Sequence, residues 1–309
     1  VGRIAARPAR RGAAAAPDAA VPRVVAVATG FAASYVGTAP RAPRLVVLDT
    51  TGRPGADVAL TEGLGVTTAG PASIAWDGAA IDAVFAAGSG GRAAAYLVRV
   101  GVDGKPMAPT VRLADLSAGA RPRAAWNPDA AQLGVTWRTP DGGLVFQRFG
   151  TDGIAVAPPT LLASGLAESA GAELAYGGEL WAFPWFDAGA VRFASTGRSG
   201  GLIAGPVDVG PQGSLVAPAI APRGDGTFAL LAADATGGGI DALTVDGATG
   251  HVDGHATLAS DAASFGGGLA ADASGVDALW IDRHSDTTGI RLARLGGAVD
   301  QPDGERLVA

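Results

Sequence analysis

Residues 71–87 read PASIAWDGAAIDAVFAA and residues 96–114 read YLVRVGVDGKPMAPTVRLA. This stretch divides into four short runs, ASIAWDG, IDAVFAA, AAYLVRV and TVRLADL. They are separated by Asp-Gly, Gly-Ser-Gly-Gly and Asp-Gly-Lys-Pro. Runs of this length, rich in Val, Ile, Phe and Trp and bounded by Gly, Pro and Asp, read as strands joined by tight turns. No segment of the chain carries helical periodicity long enough to compete.

The same unit recurs along the chain. An apolar residue followed by alanine appears at Val25-Ala26-Val27, Ile74-Ala75-Trp76, Ala124-Ala125-Trp126, Leu174-Ala175-Tyr176, Ile220-Ala221-Pro222 and Leu269-Ala270-Ala271. The alanines are 49, 50, 50, 46 and 49 residues apart. Turn glycines at Gly52, Gly104, Gly153, Gly200, Gly247 and Gly297 follow with spacings of 52, 49, 47, 47 and 50. Two markers on one period indicate a repeat architecture. Six copies of four antiparallel strands predict an all-β, six-bladed β-propeller over residues 23–309. A pair of packed β-sandwiches is the rival fold. The alanines are expected on crowded innermost strands. Trp76, Trp126 and Tyr176, and Trp137, Trp185 and Trp280 on second strands, are expected to pack between blades; sugar or base stacking is the lesser alternative.

Composition fits a packed β protein. Of 309 residues, 48% are hydrophobic and 17% charged, with 48 Gly and 20 Pro. The net charge of −6 argues against a nucleic-acid or anionic-membrane binder, which needs a concentrated positive field. Lys105 is the only lysine, and there is no cysteine, which excludes disulfides, thiol catalysis and thiolate metal sites. No apolar run reaches the 18 residues expected of a membrane span, so no transmembrane helix is expected.

The second unit, and the third with PRAAWNPDAAQLGVTW and LVFQRFGTDG, resemble the repeat of exported bacterial β-propeller proteins. These are often lipoproteins, of the type found in myxobacteria. Their repeat has a proline before Φ-A-W-D-G, then an apolar strand, then a strand ending in an Asp-Gly turn. The first, fifth and sixth units lack the aromatic after the alanine. The resemblance spans about residues 22–309 and implies an exported, non-enzymatic protein with no defined activity.

Residues 1–22, VGRIAARPARRGAAAAPDAAVP, stand outside the repeat and read as an irregular tail or linker. Its arginines Arg3, Arg7, Arg10 and Arg11 are candidate contacts. The tail is expected either to cover the edge of the last blade near Arg306–Val308 or to dock on another chain. Arg10-Arg11 is only superficially a twin-arginine signal, since no adequate apolar segment follows. A start at Val1 fits removal of an export signal or a longer parent chain.

Three motifs reduce to turn chemistry. Gly197-Arg198-Ser199-Gly200-Gly201 matches G-x-S-x-G, but no helix follows, as a nucleophile elbow requires. Gly88–Ala93 approximates a dinucleotide fingerprint, yet a strand follows it. Gly104-Lys105 is followed by Pro106, which rules out a Walker motif. His251 and His255 bracket Asp253 off any helix and read as surface. The Asp-Gly pairs at 103–104, 152–153 and 246–247 read as turns in which glycine supplies positive φ.

The densest polar cluster is Asp282, Arg283, His284, Ser285 and Asp286, expected just after a second strand. Arg138, Asp187 and Asp234 stand at the corresponding ends of other second strands. Together they are candidate binding residues around a channel mouth, with no cofactor or metal expected for want of a D-x-D-x-D-G loop. The leading functional reading is a non-enzymatic binding or structural module outside the cytoplasm that contacts proteins, with glycan a further possible partner. The alternatives are a subunit of a larger surface assembly or filament, and a glycan hydrolase or lyase using Asp187, Asp234, Asp282 and His284.

Overall fold

The computed structural model describes residues 23–37, 42–89, 91–117, 119–166, 172–210, 218–233, 239–259, 265–272, 275–284, 287–295 and 302–307. For residues 265, 266, 282–284, 287, 288 and 302–307 the description is of the backbone alone. All regular structure among them is β-strand. Tail residues Arg3, Arg7, Arg10 and Arg11 lie outside the described residues.

The fold is a six-bladed β-propeller, each blade an antiparallel sheet whose four main strands pair in sequence order. Blade 1 holds β1 (Arg23–Val27), β2 (Gly30–Val36), β3 (Pro43–Asp49) and β4 (Pro54–Ala59). Blade 2 begins with a two-residue strand, β5 (Thr68–Ala69), that pairs β7. It continues with β6 (Ser73–Trp76), β7 (Ile81–Ser89), β8 (Arg92–Val100) and β9 (Val111–Leu116). Blade 3 holds β10 (Arg123–Asn127), β11 (Gln132–Arg138), β12 (Leu144–Phe149) and β13 (Thr160–Ala163). Blade 4 holds β14 (Ala175–Gly177), β15 (Leu180–Asp187), β16 (Ala190–Gly197) and β17 (Leu202–Asp208). Blade 5 holds β18 (Ala219–Pro222), β19 (Thr227–Ala233), β20 (Ile240–Asp246) and β21 (Val252–Ala259). Blade 6 holds β22 (Phe265–Asp272), β23 (Gly275–His284), β24 (Thr287–Leu295) and β25 (Pro302–Leu307).

The described residues fall into two compact units. The first runs up to Leu133 and adds Arg138–Pro140 and Phe149–Ile154; the second takes Gly134–Trp137, Asp141–Arg148 and everything from Ala155 onward. In the first unit, Ala32, Leu45 and Val47 of blade 1 pack with Ile81, Phe85, Val98 and Val100 of blade 2. In the second, Val191, Phe193 and Val209 of blade 4 pack with Phe228, Leu230 and Leu243 of blade 5. Phe85, Phe193 and Phe228 are fully buried, each such burial contributing about 1.5–3 kcal/mol. Blades are also tied by single hydroxyls. The Ser34 hydroxyl donates to Ala72 O at 2.8 Å, Ser73 Oγ accepts from Ala124 N at 3.0 Å, and Ser195 Oγ donates to Gly247 O at 2.5 Å.

Four hairpins between third and fourth strands share one geometry. Residue i donates back from its N–H to the carbonyl of i+4, at Asp49–Arg53, Gly101–Lys105, Gly150–Ile154 and Gly197–Gly201, at 2.8–3.0 Å. The glycine at i+3, which is Gly52, Gly104, Gly153 or Gly200, has φ between 76° and 88°, a left-handed conformation that side chains resist. Ser199 of the G-x-S-x-G match therefore occupies the same turn position as Asp103 and Asp152. In blade 5 the turn differs: Gly250, not Gly247, carries the positive φ of 75°. Gly247 is small for another reason, since a Cβ there would sit 2.6 Å from Gly226 O and 2.8 Å from Phe228.

These turns also join blades. A Cβ on Gly104 would run into Ala56 of blade 1, and one on Gly153 would lie 3.1 Å from Val111 of blade 2. One on Gly200 would lie 3.2 Å from Arg148 of blade 3, and one on Gly250 would come 2.6 Å from Val207 of blade 4. Each turn thus sits on an outer strand of the preceding blade. Every pairing of third with fourth strand also carries a register shift, which twists the outer edge and blunts it against foreign pairing.

Two expectations about side chains change. The marker alanines Ala75, Ala175 and Ala221 are buried, but Ala26 and Ala270 are exposed. In β1 and β22 the alternation is displaced by one residue, so Val25, Val27 and Leu269 pack inward instead. Trp137, Trp185 and Trp280 are 4%, 1% and 1% exposed, as second-strand wedges should be. Trp76, Trp126 and Tyr176 are only half-buried. The blade 4 wedge is Trp181, which packs on Phe146 of blade 3 at a ring separation of 5.1 Å and against Gly134, where a Cβ would overlap its indole.

Candidate functional site

Of the sequence-derived site residues, two are fully described. Arg138 ends β11, and its carbonyl accepts from Ser117 N at 3.1 Å. Asp187 ends β15. Asp282, Arg283 and His284 are not in a loop: β23 continues through them, paired with Gly289, Thr288 and Thr287 of β24. Their side chains, and Asp234 and Asp286 altogether, lie outside the described residues.

Asp187 is held by a two-residue hairpin. It pairs with Ala190, and Ala188 and Gly189 between them have φ of 50° and 87°. Two left-handed residues form the turn whose twist matches antiparallel strands. Alanine there carries backbone strain that glycine would not. The hairpin presents Asp187 to a depression of about 400 Å³ between β13 of blade 3 and the β15–β17 face of blade 4. Its floor is apolar, from Leu162, Leu166 and Trp185, all buried. Leu161, 59% exposed, and Pro206 form its walls. Arg192 lies opposite Trp185 in register and Asp208 opposite Arg192, so the Arg192 Nη1–Asp208 Oδ1 ion pair of 2.6 Å orients the guanidinium. Asp187 is the one carboxylate lining the depression among the described residues, and Arg192 the one cation.

A second polar arrangement was missed by sequence reasoning. In blade 2, Arg99 Nε donates to Asp82 Oδ1 at 2.9 Å and Arg99 Nη2 to Asp77 Oδ2. Asp77 Oδ1 in turn accepts from Ala79 N at 2.7 Å and Ala80 N at 2.5 Å. Burial pushes the Asp82 carboxyl up to about 7 against the pull of Arg99, with the charge of Asp77 adding to the rise. The two carboxylates hold the Arg99 proton more tightly than usual, against the burial that loosens it. Blade 6 repeats the arrangement: Arg294 Nη1 donates to Asp277 at 2.9 Å and Nη2 to Asp272 at 2.5 Å. The sequence signal is identical spacing, Asp77–Asp82–Arg99 against Asp272–Asp277–Arg294. Each triad ties three strands of its own blade, a structural role. In blade 3, Asn127 caps Asp129 N as Asp77 caps its turn, and Arg148 instead reaches Ser199 O of blade 4 at 2.6 Å.

The remaining motifs hold no reactive geometry. Lys105 pairs with Asp103 at 3.1 Å, both exposed. His255 lies on β21 with Nε2 3.1 Å from Asp241, whose carboxylate also accepts from Thr257 Oγ1 at 2.8 Å. Among the described residues no three His, Asp or Glu gather as a metal site, and no helix is long and apolar enough to cross a membrane.

No family model and no curated protein matches the sequence. Solved structures share the fold at low identity. AofleA from Arthrobotrys oligospora is 10% identical with a TM-score of 0.59, over 93% of this chain and 85% of that one. The SapL1 lectin, solved with alpha methyl fucoside, is 13% identical with a TM-score of 0.57, over 93% and 94%. A puromycin-hydrolysing peptidase of Mycobacterium tuberculosis is 16% identical with a TM-score of 0.56, over 93% of this chain and 44% of that one. The chain likewise spans 43% of the prolyl endopeptidase it matches. At such identities the likeness is one of fold.

Proposed function

We propose that this chain is a non-enzymatic binding module working outside the cytoplasm, with the depression beside Asp187 as its ligand seat and a protein or glycan as partner. The observation that carries this reading is the charge arrangement of that seat. A glycan hydrolase needs two carboxyl groups flanking the scissile bond. One carboxylate and an anchored guanidinium above an apolar floor suit holding a ligand without breaking it. SapL1 supports a binding reading, since a chain almost fully covered by this fold is a lectin. The peptidases extend far beyond the shared part. The resemblance of the repeat to exported bacterial propellers supports the compartment.

The test is methyl NMR of leucine-labelled protein titrated with peptide and saccharide libraries, with product analysis of the same mixtures. Shifts at Leu161, Leu162 and Leu166 without turnover are expected. Turnover that Asp187→Asn abolishes would replace the binding reading with an enzymatic one. A tagged chain fractionating with the cytoplasm of its native host would remove the proposed location.

A further inference from the structure

Resting on the seat proposed above, we infer that its ligand is a neutral saccharide unit with free adjacent hydroxyls. Asp208 already neutralises Arg192, which leaves Asp187 as the one uncompensated charge, so the seat repels a phosphate or a carboxylate, and one carboxylate alone does not make a cation site. What it offers is an acceptor, Asp187, and a donor, Arg192, at the rim of an apolar surface. A sugar hydroxyl both donates and accepts. Adjacent hydroxyls can therefore donate a hydrogen bond to the carboxylate and accept one from the guanidinium, while the C–H face of the ring packs on Leu161 and Pro206.

Arg192 suits this role because Asp208 already fixes it, leaving a third of its side chain exposed and little rotamer freedom to lose on binding. Ser164, exposed at the rim, adds a third hydrogen-bonding group. An extended peptide fits less well. Strand addition needs a free, regular edge, whereas β13 has four residues, lies against β17 and enters its sheet through a register shift. The size, about 400 Å³, suits one or two sugar rings instead of a long chain.

The experiment titrates the leucine-labelled protein with neutral methyl hexopyranosides, with an anionic sugar acid and with a proline-rich peptide. Saturable shifts at Leu161 and Leu166 are expected from at least one neutral glycoside, with a Kd in the millimolar range. Asp187→Ala should weaken that Kd at least tenfold, and Ile154→Ala, on an exposed residue of the other compact unit, should leave it unchanged. Should Asp187→Ala fail to fold, Leu161→Gln serves as the second variant, with the same loss expected. Shifts from the peptide or the acid alone would overturn the saccharide and keep the binding seat. Shifts from none of the three, with the same leucines responding elsewhere in the library screen, would also overturn the saccharide alone. Silence in both would overturn the seat itself.

Discussion

The Asp77–Asp82–Arg99 triad of blade 2 and the Asp272–Asp277–Arg294 triad of blade 6 are one design in two solvents. Residue spacing and strand register agree, although Arg99 reaches its in-register aspartate through Nε and Arg294 through Nη1; exposure differs far more. In blade 2 the side chains of Asp77 and Asp82 are 3% and 2% exposed and that of Arg99 17%. In blade 6 the values are 59% and 39% for the carboxylates and 26% for Arg294. Burial turns a weak surface contact into an obligation. A buried carboxylate that loses its cation has neither water nor partner, whereas an exposed one regains water. The pair teaches that an ion-pair motif read from sequence has no fixed energetic weight.

The comparison breaks most visibly at the arginines. Arg99→Met leaves two buried carboxylates uncompensated and is expected to cost about 3–5 kcal/mol in urea unfolding followed by tryptophan fluorescence. Equal losses for Arg99→Met and Arg294→Met would end the distinction. The next effect is pH dependence. The folded pKa of Asp82, about 7, lies above its unfolded value of 3.8, so the folded protein keeps a proton that the unfolded chain has released. The Asp82 contribution is therefore full below pH 4 and is lost as pH rises through 7. At about 1.36 kcal/mol per unit, the loss approaches a ceiling of about 4 kcal/mol. Asp82→Asn is expected to remove that downward slope, so its stability relative to the wild type improves between pH 5 and pH 8. Parallel profiles would contradict the assignment.

Arg99→Lys is a finer probe. It keeps the charge but cannot bridge both carboxylates as a planar fork does, and should cost about 1.5–3 kcal/mol, the worth of one charge-assisted hydrogen bond. The smallest effect is Arg294→Met, which is expected to leave the urea midpoint unresolved from wild type at 0.15 M salt. Amide exchange at Ala83 and at Ala278 separates the two blades if global unfolding does not.

Much of the fold was legible because period, strand length and turn chemistry are properties of the chain itself. Ala75, Trp137 and Asp103-Gly104 announce strand, wedge and turn without reference to anything distant. The sequence misplaced what depends on which face a residue takes. Ala26 and Ala270 match the marker yet face outward, and Trp181 does the packing that Tyr176 was expected to do. A shift of one residue reverses every side chain in a strand, and no local signal reports it. Of the residues lining the candidate seat, Asp187 is the one that sequence reading names. Its companions Leu161 and Arg192 stand about thirty residues apart on different blades, and neither carries a motif. The two Asp–Asp–Arg triads were open to inspection, but equal spacing becomes meaningful only when register places Asp82 opposite Arg99.

The glycine turns that rest on the outer strand of the blade before them give the molecule a direction, like roof tiles laid from one eave. In each of the four seams the later blade supplies the tip and the earlier one the bed. A module duplicated after its parent would find a bed already cut to receive it. A longer tip at Gly104, Gly153, Gly200 or Gly250 would have to lift its tile.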